Sequence, residues 1–350
     1  MRGITGGAQP EWGKSSQNWP MADRRDRRPA LPNPIQRAAR GRLPRNRWSW
    51  RGLGVAALAL LGAFSGASLL AVVWPKPDRS AHLREEITAA TLAPKPAQAI
   101  TVLVIGSDAD KLQGSSNGAA PPGPANGDTV LLVRVTPKGP VQVLQLPTEL
   151  ALSLPGRKAP VALGQLYREG GVALTAETLR ELLGLGNSAP ERYIVVPRQA
   201  LRELVDALGG LEVSPPRRMN YRDLAMKYTI DLQSGLQRLT GGKVEQMVRF
   251  RDKWLGEAGR RANQQLVING LQQQMGQPAQ LAILPPLIQT WSSQVETNLS
   301  QQEILSLLAA GLDNPKPLQF SSLPMKPATK DFGELRQLDP AAGKPLWPQL

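Results

Sequence analysis

The sequence has no cysteine and a single histidine, His82. Those absences exclude a thiolate nucleophile, a thiolate zinc site, a dithiol redox pair and, in practice, a Ser-His-Asp arrangement. A catalytic site here has to be built from carboxylates, arginine, lysine, hydroxyls and an oxygen-bound metal. A chain without cysteine is at home in any redox compartment, so location must be read elsewhere. Acidic residues are also short, 28 against 42 Lys and Arg. The imbalance is local: residues 1–51 hold 12 Lys and Arg and three acids, a net +9, which leaves +5 for the remainder.

Residues 1–51 lack any sustained apolar period and are rich in Arg, Pro, Gly and Asn, a composition that reads as disordered. The clusters Arg24, Arg25, Arg27, Arg28 and Arg37, Arg40, Arg42, Arg45, Arg47, Arg51 could attract nucleic acid. The tail carries no folded reading motif, however, and no specific nucleic-acid partner is expected. The adjoining segment gives the charge another use. From Gly52 to Trp74 there is no charged residue, and 23 residues of helix at about 1.5 Å each would span roughly 35 Å, enough for a bilayer. Trp48, Trp50 and Trp74 suit the two interfaces. The positive-inside rule then places the tail in the cytoplasm and residues 75–350 outside. A cleaved signal peptide is the competing reading, but the apolar run exceeds a usual h-region and the preceding segment is very long. We expect a single-pass anchor in the cytoplasmic membrane, with the lipid bilayer as a partner.

At 350 residues there is room for one large domain or two small ones. After a spacer at 75–98 with a short helix over 80–92, ITVLVIG (100–106) reads as a buried strand. TVLLVRVTP (129–137) and VQVLQLP (141–147) form a hairpin, and the polar segment 111–127 is a loop. Helices are expected over 160–170, 174–183, 199–208, 257–275, 281–291 and 300–312. Ser300 with Glu303 gives the last of them a capping box. Strands are expected at 192–196, 211–213 and 318–323. Alternating strands and helices give an α/β class, a central mixed sheet sandwiched by helices and preceded by one transmembrane helix.

The chemically richest stretch is Val248-Arg249-Phe250-Arg251-Asp252, continuing to Arg260-Arg261-Ala262-Asn263-Gln264-Gln265. In extended backbone, residues 249 and 251 project to the same side; in a helix they diverge. Two guanidinium forks on one side can hold a diphosphate through charge-assisted bonds. Arg260 and Gln264 lie one helical turn apart. From spacing alone, a solvated charged helix is the preferred reading of the pattern. Asp252 is expected to be a structural partner for an arginine.

VLVIGSDAD followed by GDTVLLVRV, then QLYREGG, LVDALGGLEV and LQSGLQRLTGGKVEQMVRFR, then RRANQQ, resemble in this order the LytR–CpsA–Psr family of cell-envelope proteins, over about residues 99–275. The resemblance implies a phosphotransferase domain, with residues 276–350 packing on it. Such an enzyme moves a glycopolymer from a polyprenyl-diphosphate carrier to peptidoglycan, with the lipid tail held between sheet and helices. It implies Arg249, Arg251, Arg260 and Gln264 as diphosphate-binding residues, Asp108, Asp128 and Glu149 as catalytic carboxylates, and Mg²⁺ held by Asp108 and Asp128. Taken alone, each Asp reads as a turn residue.

The sequence also departs from the pattern. Pro147-Thr148-Glu149 stands where the family has Pro-Arg-Asp, Asp110 and Asn126 stand where arginine is common, and Asn263 replaces the arginine before the Gln pair. Arg134, Arg157 or Lys158 are candidates to make up the lost charge. Two readings stay open: a divergent transferase, or a catalytically weakened polyprenyl-diphosphate-binding scaffold or regulator of the envelope.

Overall fold

The computed structural model describes residues 88–112, 124–186, 189–224, 228–314, 316–327, 334–343 and 346–347. The expected basic tail, the apolar stretch 52–74, most of the spacer and much of the loop after residue 112 lie outside the described residues. Among the described residues, no helix is long and apolar enough to cross a membrane.

Strands β1 (Ile100–Ser107) and β2 (Gly127–Val135) carry apolar residues at successive positions, so both faces of the sheet they form must be covered. They pair antiparallel, and β3 (Gln142–Leu146) continues the hairpin on the far side of β2. Two short strands, β4 (Ala151–Leu152) and β5 (Val161–Ala162), pair beside the sheet. Helix α1 (Leu166–Leu183) leads to β6 (Arg192–Val196), which lies parallel to β1. Helix α2 (Arg198–Ala207) comes next, then β7 (Leu211–Val213), the hairpin β8 (Met219–Asp223) and β9 (Tyr228–Leu232), and β10 (Gln237–Leu239), which pairs with β7. Helices α3 (Gly241–Arg249) and α4 (Gly256–Met275) carry the arginine-rich stretch. Short helices α5 (Pro278–Leu281) and α6 (Leu284–Trp291), strand β11 (Glu296–Thr297), helix α7 (Gln301–Leu312) and strand β12 (Gln319–Ser322) complete the order.

The central sheet has six strands in the order β11-β6-β1-β2-β3-β12, mixed in direction as expected. Segment 276–350 therefore supplies both edge strands. One face buries Leu103, Ile105, Val130, Leu132, Leu144 and Leu146 against α1 and the C-terminal Trp347. The opposite face presents Val102, Val104, Leu131, Val133 and Val143 toward α4, α6 and α7.

Several elements differ from the expectation for identifiable reasons. The two helices foreseen over 160–183 are present within α1 as two helical stretches separated by a kink at Gly170–Gly171, where the backbone leaves helical geometry; Gly171 has φ +65°, a conformation glycine supplies without strain. The helix foreseen over 281–291 is split, because Pro285 and Pro286 favour a helix start there. Residues 88–92 form a turn, closed by Thr91 N–H to the Thr88 carbonyl at 3.1 Å. The capping box on α7 is present: the Glu303 amide donates to Ser300 Oγ at 3.2 Å, and the Ser300 amide donates to Glu303 Oε2 at 2.8 Å.

Candidate functional site

The cavity-facing strand residues explain an oddity of burial. Val104 and Val133 sit on the two central strands yet are only half-buried. They line an apolar cavity of about 290 Å³ between the sheet and helices α4 and α7, walled also by Ile268, Leu271, Met275, Leu307 and Leu308. A second cavity, about 170 Å³, shares Val104, Leu131, Ile268 and Leu271 with the first and adds Ser107, Asp128, Arg198, Glu245, Arg249 and Gln264. One continuous wall thus runs from an oily interior to a charged end.

The charged end is assembled from strand ends and helix ends. β1 stops in an irregularity at Gly106–Ser107 opposite Gly127, which re-aims the residues beyond it. Asp108, buried, accepts from the Asn126 amide at 2.9 Å and from Asn126 Nδ2 at 3.0 Å. Asp128, the second residue of β2, lines the cavity and keeps 35% of its side chain exposed. Its carboxylate lies 3.5 Å from Arg260 Nη1.

Arg260 is almost fully buried on α4. Its Nε donates to Glu257 at 2.7 Å and its Nη2 to Thr148 Oγ1 at 2.9 Å. Glu257 also receives Arg251 Nε at 2.7 Å, so Arg251 and Arg260 share one carboxylate. Thr148, at a position where the family resemblance puts an arginine, is an acceptor for one. Next to it, Glu149 takes Arg261 Nη1 on both oxygens, at 2.7 and 2.9 Å.

Arg249 and Arg251 do not form a common fork. Helix α3 ends at Arg249 and Phe250 turns extended (φ −63°, ψ 124°), so the two guanidiniums take different carboxylates. Arg249 Nη1 donates to Glu245 at 3.3 Å and its guanidinium stacks 4.5 Å from the Tyr228 ring. Burial, then the charge of Glu245, push the Tyr228 phenol above its ordinary value, against the opposing pull of Arg249 and Arg198. Asp252 is an arginine partner, as foreseen, accepting from Arg217 at 2.9 Å. The amides of Trp254 and Leu255, followed by Arg217, hold it below the usual carboxylate range. Gln264 accepts from Gln145 Nε2 at 2.8 Å, and Gln265 donates to Gln145 at the same distance, which fastens α4 to β3.

Of the seven residues expected at the site, then, Asp128, Arg249 and Gln264 line the cavity. Arg260 touches Asp128, and Arg251 reaches Arg260 through Glu257. Asp108 and Glu149 are buried and held by Asn126 and Arg261. Sequence reasoning missed Arg198, Arg202 and Glu245. Glu245, buried on α3, receives Arg198 Nη1 at 3.0 Å as well as Arg202 and Arg249. Asp110 pairs with the same two α2 arginines, at 2.9 Å to Arg198 and 3.3 Å to Arg202. Burial alone would lower Arg202, but its bonds and charge attraction to Glu245 and Asp110 outweigh that and raise it. The signal was partial: residues 198 and 202 are four apart and share a helix face, but the helix expected from sequence began only at residue 199. Of the residues proposed to make up lost charge, Arg134 points to the other side of the sheet, 4.0 Å from the Trp347 ring, and Arg157 pairs with Glu169. Lys158 is exposed in the β4–β5 turn.

The family model LytR_cpsA_psr matches residues 76–338. The chain belongs to that family. Among curated relatives it is 25% identical over 238 residues to "Regulatory protein MsrR" of Staphylococcus aureus (strain COL), covering 66% of each chain. It is also 25% identical over 186 residues to "Polyisoprenyl-teichoic acid--peptidoglycan teichoic acid transferase TagV" of Bacillus subtilis (strain 168), covering 51% of this chain and 46% of that one. The chain thus spans just under two thirds of MsrR and less than half of TagV. The crystal structure of B. subtilis TagV superposes with a TM-score of 0.56 at 20% identity, over 70% of this chain and 92% of that one. A structure of TagT bound to LIIa-WTA gives 0.50 at 19%, over 69% and 84%. The likeness of fold includes the mixed sheet and its covering helices.

Proposed function

We propose that this protein is a membrane-anchored phosphotransferase that takes a glycopolymer from a polyprenyl-diphosphate carrier and joins it to peptidoglycan. The observation that carries the reading is the continuous cavity wall, apolar along the sheet and charged at Asp128, Arg198, Arg249 and Gln264. An amphiphile with a long hydrocarbon tail and an anionic head matches that gradient, because each end finds its own solvent-like surroundings. The names of TagV and TagT, a teichoic acid transferase and a protein bound to LIIa-WTA, support the same substrate class. The apolar run 52–74 and the arginine-rich tail before it support the anchor.

In the reaction, an acceptor hydroxyl forms a bond to the phosphorus that carries the glycopolymer. The P–O–P bond breaks, polyprenyl phosphate leaves, and the hydroxyl proton is lost. Charge builds on the leaving phosphate, so fixed guanidiniums beside it lower the barrier. Arg249 is the cavity-lining cation of α3; Arg260 is held behind Asp128 by three partners. Among the described residues no three acidic or histidine side chains gather into a metal cage. Mg²⁺ is commonly bound by only one or two carboxylates together with substrate phosphates and water. Asp128, partly exposed and with one long contact, fits that pattern better than Asp108, whose two oxygens both receive bonds from Asn126. Bound there, the ion would neutralise phosphate charge.

The test is glycopolymer attachment to peptidoglycan by membranes carrying the full chain. Arg249→Ala is expected to abolish it, with the protein still folded and in the membrane; unchanged attachment would sink the reading. One observation favours the scaffold alternative: Thr148, Asn126 and Asn263 carry no charge, and the arginines that remain are already paired with protein carboxylates. Under that alternative the carrier lipid binds, but wild-type membranes attach nothing.

A further inference from the structure

At 126, 148 and 263, where the family resemblance puts arginines, this chain has Asn, Thr and Asn, and the charged end of the cavity takes an arginine from an unexpected element. Arg198 opens α2. Its side chain is 11% exposed and lines the same cavity as Asp128, Arg249 and Gln264. Two of its three nitrogens are clamped: Nη1 donates to Glu245 Oε1 at 3.0 Å, and Nη2 lies 2.9 Å from Asp110 Oδ1. The third, Nε, is buried and has no acceptor among the described residues. A buried donor without an acceptor is costly and uncommon, so it points to a partner that arrives with a ligand. The first two amides of α2 are already engaged, those of Arg198 and Gln199 donating to the carbonyls of Ala109 and Asp110, each at 3.0 Å.

We infer that Arg198 holds a phosphate oxygen of the bound diphosphate through Nε–H, with Glu245 and Asp110 as the residues that position it. The inference rests on the proposed function, in which the cavity takes a polyprenyl diphosphate. Three features fit together. Asp110 occupies a position where the family resemblance puts an arginine; here the charge is moved across to α2, and the acid becomes its anchor. Glu245 is buried between Arg198, Arg202 and Arg249, so the α2 cation and the α3 cation are fixed on one carboxylate. A guanidinium gripped on two sides presents its remaining donor in one direction, which is the preorganisation anion recognition requires.

Arg202 supplies the control. It bonds to the same two carboxylates but does not line the cavity. The experiment is calorimetric titration of the detergent-solubilised full chain with geranylgeranyl diphosphate and, separately, with geranylgeraniol. Arg198→Gln is expected to weaken diphosphate binding about 10- to 100-fold and leave the alcohol unaffected. Arg198→Lys keeps the charge but not the Nε donor and is expected to lose about tenfold; it carries the test if the glutamine variant does not fold. Arg202→Gln is expected to lose less than about threefold. Equal losses in Arg198→Gln and Arg202→Gln would make the network structural and overturn the inference. Unchanged affinity in Arg198→Gln, with wild-type binding intact, would overturn it and leave the proposed function standing. A wild type that takes up neither compound would overturn both.

Discussion

Paired carboxylates and guanidiniums decide what the individual residues of this site can do. Glu149 and Arg261 illustrate the point, since both Glu149 oxygens accept from Arg261 inside the protein. Removing the cation leaves a buried acid without compensation, so Arg261→Ala is expected to cost about 3 kcal/mol, read by chemical denaturation. Asp252 gives a pH signature. Its folded-state pKa lies below the unfolded value, so the stabilisation is present above about pH 4 and is lost as pH falls through the depressed value. Hydrogen exchange at Trp254 and Leu255 should accelerate over that acid window, beyond its intrinsic pH dependence, in the wild type and not in Asp252→Asn. At this scale the sequence showed which residue types were available but not their partners. Arg249 and Arg251, two apart, went to different carboxylates because a helix ends between them. Glu245 meets Arg198 across 47 positions of chain, a separation no local pattern encodes.

The elements were more legible than the residues. Strands β1, β2 and β3 announce themselves through apolar residues on both faces, and α4 and α7 through length or capping. The β8–β9 hairpin escaped notice because only β9 alternates: Ile230 and Leu232 are buried, whereas Asn220, Tyr221 and Arg222 on β8 are all exposed. What places the site is the contact between α2 and α3, and Gly241 permits it. A Cβ there would collide with the Arg202 carbonyl oxygen, and the Gly241 amide donates to Asp206 at 2.7 Å. Gly241→Ala must therefore push α3 away from α2 and carry Glu245 off its arginines. A loss of about 2 kcal/mol in unfolding free energy is expected, with weaker polyprenyl-diphosphate binding. Binding and stability both at wild-type levels would refute that role for the α2–α3 contact.

Across the whole molecule, the sheet divides two kinds of interior. On one side α1 and Trp347 close over the core, and Trp347→Ala is expected to cost about 3–5 kcal/mol and to remove the ring stacked against the buried Arg134. On the other side, the same aliphatic residue types leave a cavity. Composition could not separate core from cavity, because leucine and valine serve both. Ile268 belongs to both cavities. Ile268→Trp should block the passage between tail and head, weakening lipid binding more than about tenfold and changing stability by less than about 2 kcal/mol.

The central claim is that this cavity holds a polyprenyl diphosphate by its tail and its head together. Native mass spectrometry of the detergent-solubilised full chain, with and without Mg²⁺, tests it most directly. The wild type should carry a polyprenyl diphosphate, co-purified or added, that Arg249→Ala fails to retain. A well-folded wild type that binds none, or an Arg249→Ala variant that keeps it, would contradict the account.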